Sequence, residues 1–267
     1  MQSQLPKTLL ICHNDDTLTH QSMSRWLSSF SQLVGIVLLK ETRQRKLKRI
    51  QREIQRVGLL RFIDIVALRL YHKIFLADKD DAWQKCALGE LQRTYTTGNE
   101  SVPVLVTPSP NTPEAENFVR MHAPDMMLAR CKTIVDERVF TIPKVGTFVL
   151  HAGICPEYRN AHGCFWALAN NDLKKVGMTL LKIDKGVDTG PVYGYYSYPF
   201  DEIKESHYVI QQRVILDNLD AIRDKLMEIY RGSAVPLVTS GRPSATWGQP
   251  WLTRYLRWKW KARRGKT

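Results

Sequence analysis

Two side chains that can move protons, His151 and Asp188, each follow a strand-like apolar run. Residues 147–150 lead directly into His151, and residues 176–183 lead into a Gly-Val-Asp-Thr-Gly turn that contains Asp188. Because catalytic groups of α/β proteins lie at strand ends, we expect the two side chains to meet at one edge of a sheet. A carboxylate orients and charges a neighbouring imidazole, so this pair predicts general acid–base chemistry.

The elements around this pair predict an α/β fold. Apolar runs at 8–14 and 33–39 predict two strands, and residues 17–29 between them have helical spacing. This β-α-β opening indicates a doubly wound, mostly parallel sheet. No Gly-x-Gly-x-x-Gly motif follows the first strand, which disfavours a nicotinamide or flavin dinucleotide. Further strands are expected at 103–107, 125–129, 147–150 and 176–183, and further helices at 113–122, 164–168 and 206–230.

The segment 146–192 has a distinctive motif. It contains Val149-Leu150-His151-Ala152-Gly153-Ile154-Cys155-Pro156-Glu157-Tyr158-Arg159-Asn160, then Trp166-Ala167 and Asp188-Thr189-Gly190-Pro191. This pattern resembles the folate-dependent formyltransferase family, which includes glycinamide ribonucleotide, methionyl-tRNA and sugar-amine formyltransferases. The chain departs from the family pattern where Val149 replaces an Asn, Gly153 a Ser and Asn160 a Gly.

The resemblance implies a Rossmann-like domain of the formyltransferase type that uses 10-formyltetrahydrofolate as formyl donor. His151 would stabilise the oxyanion, and Asp188 would tune that His and relay protons. The backbone that recognises the folate would be supplied by a loop and by the acidic turn: Cys131, Lys132, Thr133, Ile134 and Val135, with Gly186 and Val187. The acceptor would contact Tyr158, Arg159 and Asn160.

Val149 is the departure that bears on catalysis. The family's Asn donates a hydrogen bond to the formyl oxygen, which a valine cannot do. Losing such a donor slows the chemistry by about two to three orders of magnitude. We expect His162 or Asn160, on the same loop, to supply the missing donor, with His162 as the third catalytic residue. A different reaction or a loss of catalysis is the alternative.

The net charge of +13 is concentrated in two segments. Residues 40–73 carry a net +8 and residues 251–267 a net +7, which leaves the rest of the chain at −2. We therefore expect a catalytic domain over 1–232, a basic helical insertion at 42–100 and a basic, Trp-rich C-terminal extension over 233–267.

Two interpretations of the insertion remain open. In the first, an apolar helical stripe packs on the body and leaves a solvated basic face; its members are Leu47, Ile50, Ile54 and Val57. In the second, a basic amphipathic helix lies on an anionic membrane or on nucleic acid. The C-terminal tail, with Trp251, Trp258 and Trp260, is either a disordered basic terminus or a segment that contacts phosphates or a membrane interface.

The five cysteines contain no Cys-x-x-Cys pair, which disfavours a disulfide framework and a zinc site and fits a reducing cytosol. No metal is indicated. Cys155 or Cys164 as a nucleophile is a minor alternative. No secretory signal and no apolar run of about 18 residues is present. The prediction is a cytoplasmic protein, with peripheral contact at the inner face of the membrane through 42–77 and 251–267.

The acceptor is expected to be a small amine. The tRNA-directed members of the family carry a C-terminal β-barrel, and the residues after the predicted helix at 206–230 are too few for one. We therefore favour a nucleotide-linked amino sugar for cell-surface polysaccharide over nucleic acid. Two alternatives remain: a catalytically degenerate binding protein, and a methionyl-tRNA formyltransferase-like enzyme without the tRNA domain.

Overall fold

The computed structural model describes residues 5–97 and 101–265. Their strands are β1 (Lys7–His13), β2 (Gln32–Leu39), β3 (Val104–Thr107), β4 (Met126–Arg130), β5 (Gly146–His151), β6 (Arg159–Asn160), β7 (Met178–Lys182), β8 (Val192–Tyr196) and β9 (Thr246–Trp247). Their helices are α1 (Thr17–Ser28), α2 (Arg43–Val57), α3 (Leu59–Phe75), α4 (Ala77–Thr94), α5 (Pro113–His122), α6 (Glu137–Phe140), α7 (Gly163–Ala169), α8 (His207–Leu216), α9 (Leu219–Tyr230) and α10 (Leu252–Arg264).

Seven strands form one sheet in the order β3-β2-β1-β4-β5-β7-β8. The first five strands in this order, β3-β2-β1-β4-β5, are parallel to each other. β7 and β8 are antiparallel to their neighbours. The parallel strands therefore all end at the same edge, called the carboxyl edge here. The predicted α/β class with a mostly parallel, doubly wound sheet is confirmed.

The central strand β1 illustrates why the sheet forms. Its sequence KTLLICH is apolar on both faces, and no residue of it is exposed, as expected for a strand covered by helices on both sides. The next helix, α1, begins where the Asp16 carboxylate accepts hydrogen bonds from Thr19 N (3.0 Å) and Thr19 Oγ1 (2.7 Å). The cap satisfies free N–H groups at the helix start and fixes the turn after β1.

The predicted long helix at 206–230 is wrong, because it is two helices. α8 ends at Leu216 and α9 begins at Leu219. Between them, the Asn218 side-chain amide donates to Val214 O (3.0 Å) and to Ser197 O (3.1 Å). An Asn that bonds local carbonyls competes with the helical hydrogen-bond pattern, and helical periodicity alone does not reveal the break.

The helical insertion consists of α2, α3 and α4. The interpretation in which the apolar stripe of α2 packs on the body holds at most for its second half: Leu47 is 60% exposed and Ile50 38% exposed, Ile54 and Val57 are half-buried, and no residue of α2 is buried. α3 does pack inward, through Ile65 and Leu68, which are 1% and 4% exposed.

The C-terminal segment is folded onto the body. α10 buries Tyr255 and Trp258, each 2% exposed, in the same apolar cluster as the helices on that face of the sheet. Trp258 Nε1 donates to Glu202 Oε1 at 2.7 Å, and Lys259 Nζ donates to Glu202 O at 2.6 Å. A disordered basic tail is therefore excluded for this segment up to residue 265, and the division at residues 232 and 233 remains a prediction.

Candidate active site

His151 is the last residue of β5 and its ring is held from two sides. Nε2 lies 2.7 Å from Tyr158 O, and Nδ1 lies 3.5 Å from Asp188 Oδ2. A carbonyl can only accept a hydrogen bond, so we assign the hydrogen on Nε2 to Tyr158. Nδ1 is then the atom that can take up and release a proton, and it faces the carboxylate of Asp188. The imidazole is 8% exposed and the Asp188 side chain 13% exposed, which strengthens their electrostatic interaction.

Asp188 is fixed by the backbone that surrounds it. Its own φ is 51°, in the left-handed region, and its Oδ2 accepts a hydrogen bond from Asn160 N at 2.7 Å. The preceding carbonyl, Val187 O, accepts from Arg159 Nη1 at 3.0 Å. The loop after β5 thus clamps the acidic turn, so that the carboxylate cannot rotate away from His151.

The two glycines beside the pair allow a very close approach of two backbone segments. A Cβ on Gly153 would lie 2.5 Å from Tyr158 O and 2.7 Å from His151 Nε2, and one on Gly163 would lie 2.4 Å from Gly153 Cα. No side chain fits in either place. Gly153, where the family pattern has Ser, is therefore required by the packing that holds the imidazole in this chain.

The three residues expected to bind the acceptor support the pair instead. Tyr158 is 5% exposed, with its carbonyl on His151 and its hydroxyl donating to Asp172 Oδ2 at 3.1 Å. Arg159 holds the acidic turn, and Asn160 holds Asp188 through its backbone N–H. As acceptor ligands they remain predictions; their observed contacts are within the protein.

Val149 lies on the same face of β5 as His151, two residues earlier in the chain. It is half-buried and packs on two apolar groups, which include Cys155 and Leu181 on one side and Ala129 on the other. A polar side chain would find apolar neighbours there. Val149, where the family pattern has Asn, therefore belongs to an apolar wall beside the imidazole of His151.

The structure does not bring either expected substitute donor to the pair. The Asn160 amide Nδ2 donates to Trp247 O at 2.6 Å, and His162 Nδ1 bonds Gln211 Oε1 at 3.2 Å. Burial, followed by the charge of Lys132, lowers the pKa of His162 to about 4, so this ring is neutral at pH 7. His162 as oxyanion donor remains a prediction and requires its bond to Gln211 to exchange.

The loop expected to recognise the folate leaves the carboxyl edge directly after β4. Lys132 N donates to His13 Nε2 at 3.0 Å, and Ile134 O accepts from Asn111 Nδ2 at 2.9 Å. Val135 is buried in the cluster on which Val149 packs, so the loop lies beside the strand that bears His151. Ile134 is 68% exposed. Recognition of the folate by the backbone of this loop remains a prediction.

The cysteine alternative does not fit the geometry. Burial raises the pKa of the Cys155 thiol and of the Cys164 thiol, each to about 12. The Cys164 thiol also donates to Gly177 O. Since the thiolate is the nucleophilic form, neither residue is activated. Within 5–97 and 101–265, no group of three His, Cys, Asp or Glu side chains is arranged to hold a metal ion.

Trp247, which sequence reasoning missed, connects the C-terminal segment to the active site. It lies in β9, which pairs with β6, and its ring stacks on Trp166 (centroids 4.9 Å apart) and on Tyr158 (5.7 Å). Its Nε1 donates to Glu157 O at 2.9 Å. The contact joins residues about ninety positions apart in the chain, and no local pattern signals it.

An arginine face on α2 was also missed, although its signal was present in the sequence. Arg45, Arg49, Arg52 and Arg56 recur at a spacing of four, three and four, which places them on one face. Arg45 Nη1 donates to Pro108 O (2.7 Å) at the end of β3. The Arg56 guanidinium lies against Gly248, where a Cβ would be 1.9 Å from Nη2.

These two end contacts place α2 along the carboxyl edge. Gly248 O accepts a hydrogen bond from Trp166 Nε1 at 2.9 Å, so the second contact lies next to α7. The helix has 15 residues, or about 22 Å. The five strands from β3 to β5 span about 19 Å. We infer that α2 crosses the edge with its arginines toward the site.

Comparison with known proteins supports the resemblance. Residues 95–222 match the family described as formyl transferase. The matched region contains the loop at 131–135, His151 and Asp188. The methionyl-tRNA formyltransferase of Sorangium cellulosum is 32% identical over 125 residues, which cover 44% of this chain and 40% of that protein. The chain thus spans about two fifths of the length of the curated relatives that it matches.

Solved structures share the fold. A phosphoribosylglycinamide formyltransferase from Anaplasma phagocytophilum superposes with a TM-score of 0.55 at 12% identity, covering 93% of this chain and all of that one. A sugar N-formyltransferase from a Shewanella species superposes with a TM-score of 0.54 at 10% identity, covering 91% of this chain and 76% of that one. The resemblance stated from the motif is confirmed, and the architecture is that of the formyltransferases.

Proposed function

We propose that this chain, whose residues 95–222 match the formyl transferase family, transfers a formyl group from 10-formyltetrahydrofolate to the amino group of a phosphate-bearing amino sugar. 10-Formyltetrahydrofolate is the formyl donor of that family. The observation that carries the proposal is the pair of His151 and Asp188, 3.5 Å apart and clamped at the end of β5.

In this reaction the acceptor nitrogen bonds the formyl carbon, the bond from that carbon to the folate nitrogen breaks, and one proton passes from the acceptor amine to the folate nitrogen. In this proposal His151 Nδ1 takes that proton and returns it, since Nε2 is engaged by Tyr158 O. Asp188 stabilises the charged imidazole while it holds the proton. The backbone of residues 131–135 and of Gly186 and Val187 would bind the folate.

The arginine face of α2 indicates the class of acceptor. Arg52 has no acidic partner among the ion pairs found in the described residues, whereas Arg49 pairs with Glu41 at 3.0 Å. Cations on a helix over the carboxyl edge favour the binding of an acceptor that carries a phosphate group, such as a nucleotide-linked amino sugar. Such sugars are precursors of cell-surface polysaccharide, and this role is part of the proposal.

The partner and place of action are also proposed. Of the residues described, none belongs to a helix long and apolar enough to cross a membrane. Contact with a membrane would therefore be peripheral, through parts of 42–77 and 251–265.

A spectroscopic assay of 10-formyltetrahydrofolate consumption, with a panel of nucleotide-linked amino sugars, tests the function. We expect acceptor-dependent release of tetrahydrofolate that falls at least about a thousandfold in His151→Ala. His122→Ala is the matched control, because His122 also bonds a carbonyl, Phe118 O at 2.8 Å, but on α5. Folate binding without turnover across the panel would contradict the proposal and indicate a binding protein; consumption without an acceptor would indicate a hydrolase.

A further inference from the structure

One face of α3 carries four exposed apolar side chains between its first and last turns. Leu59, Ile63, Leu70 and Ile74 lie within a quarter turn of each other around the helix, and they are 64%, 56%, 55% and 69% exposed. The opposite face is the one that packs inward, through Ile65 and Leu68. The exposed stripe is not needed to hold α3 on the body.

α2 adds to the same kind of surface. Leu47 and Ile50 are exposed on the face opposite the arginines, since their positions are about half a turn from Arg45 and Arg52. Isolated exposed apolar residues are common on proteins, but runs of them on consecutive helices are not. The exposed apolar residues of α2 and α3, together with those of α10 below, form what we call the outer face.

α10 lies directly beside α3. Thr253 N donates to Asp64 Oδ1 at 3.1 Å, and the rings of Tyr255 and Tyr71 are 5.6 Å apart. On the side of α10 away from the core, Trp260 is 53% exposed. Tryptophan and arginine side by side, with the guanidinium of Arg264 3.9 Å from the Trp260 ring, are typical of a membrane–water interface.

The charges near the outer face indicate what kind of surface it binds. The exposed cations near the outer face include Arg43, Lys46, Lys73, Arg257, Lys261 and Arg263, and acidic residues are few in these helices. A second copy of the chain would bring two such sets of cations together and be repelled. An apolar stripe bordered by cations matches an anionic lipid surface. There, burial of the apolar side chains and attraction of the cations to the lipid head groups are both favourable.

We propose that the outer face docks this protein on an anionic membrane surface, with α3 and α10 lying in the interface plane. The docking is independent of formyl transfer, so that it can fail while the proposed function holds, and the reverse.

Flotation of the full chain with lipid vesicles tests the docking. We expect binding to phosphatidylcholine vesicles that contain phosphatidylglycerol, weaker binding in high salt, and little binding to pure phosphatidylcholine. The variant Ile63→Ser/Ile74→Ser should lower the partition coefficient at least about tenfold, because two apolar side chains no longer enter the interface.

The matched control is Val235→Ser/Val238→Ser, which changes two side chains that are 81% and 85% exposed outside the outer face. It should bind vesicles like the unaltered protein. Circular dichroism of each variant reports whether the fold is kept, and both pairs are exposed enough to be replaced without unfolding. Absence of binding to phosphatidylglycerol vesicles, or equal losses in both variants, overturns the proposal. So does a dimer in sedimentation that Ile63→Ser/Ile74→Ser dissociates.

Discussion

The region matched by the family and the helices outside it use apolar and charged residues in opposite ways. Around His151 the polar groups are buried and bonded to each other, and glycines replace side chains where two segments touch. In α2, α3 and α10, several large apolar side chains and most cations are exposed. The first arrangement fixes the geometry of His151 and Asp188, to which we assign proton transfer. The second leaves surfaces open to which we assign binding of molecules outside the chain.

The difference teaches that chemistry and recognition are separable in this molecule. The family match contains His151 and Asp188 but ends before α9 is complete, whereas the arginine face and the whole outer face lie outside residues 95–222. Substitutions in the first region should change turnover, and substitutions in the second should change acceptor binding or location.

The largest effect is expected for Asp188→Asn. The amide oxygen can still accept from Asn160 N, so the turn should keep its shape, but the charge beside Nδ1 of His151 is lost. We expect kcat to fall by about three orders of magnitude with an unchanged melting temperature. Asp184→Asn is the matched control in the same turn, because Asp184 bonds Gly186 N and Thr189 Oγ1 and does not contact His151. Equal losses in both variants would mean that the turn, and not the charge, matters.

Val149→Asn should increase turnover. It places an amide where the family has one, and no other side-chain donor contacts the pair in the described residues. We expect kcat to rise by about tenfold, less than the two to three orders that a well-aligned donor contributes, because Cys155 and Leu181 form an apolar surround. Val149→Thr, which is nearly isosteric, is the control for packing. An unchanged kcat would indicate that another donor, such as His162, already serves, and His162→Ala would then abolish turnover.

The fold was more predictable than the site. Strands at 8–14 and 147–150 were predicted because central strands are continuous apolar runs, and His151 with Asp188 because a motif fixed their spacing. The stacking of Trp247 on Tyr158 could not be predicted, since it joins distant segments through packing. The position of α2 could not be decided from the sequence, because its apolar stripe suits packing on the body as well as contact with a membrane.

Arg52→Ala should act on binding and not on chemistry. If the arginine face holds a phosphate, we expect the KM for a nucleotide-linked amino sugar to rise about tenfold, which is the effect of losing one hydrogen bond to a charged group. The kcat, and the KM for an amino sugar without phosphate, should stay the same. Arg231→Ala, an exposed arginine after α9, is the control. A matching rise in KM for the phosphate-free sugar would contradict phosphate recognition.

A further effect concerns the pH dependence of stability. Burial, more than any neighbouring charge, lowers the pKa of His207 to about 3 from an ordinary 6.5, and its Nδ1 has no hydrogen-bond partner. Between about pH 3 and pH 6.5, His207 binds a proton in the unfolded chain but not in the native chain. The contribution of His207 to stability is therefore fully present above pH 6.5 and is lost as the pH falls, by about 1.4 kcal/mol per pH unit.

His207→Phe should remove this dependence. The ring lies between Phe165 and Tyr255, with centroids 5.3 and 5.6 Å away, so that a phenyl group fits apolar neighbours. Urea unfolding at pH 7 and pH 5 measures how steeply the free energy of unfolding changes with pH. This change should be smaller in the variant than in the unaltered protein. A slope equal to that of the unaltered protein would mean that His207 is not the group that titrates.

In the proposed function, the His151–Asp188 pair assists the transfer of a formyl group to an acceptor amine. NMR with ¹³C-formyl-labelled 10-formyltetrahydrofolate and a nucleotide-linked amino sugar observes that transfer directly. The account predicts a new formamide carbon signal on the acceptor, which is absent with His151→Ala and nearly absent with Asp188→Asn. Label that appears as free formate, or a formamide signal that forms equally fast in His151→Ala, would contradict it.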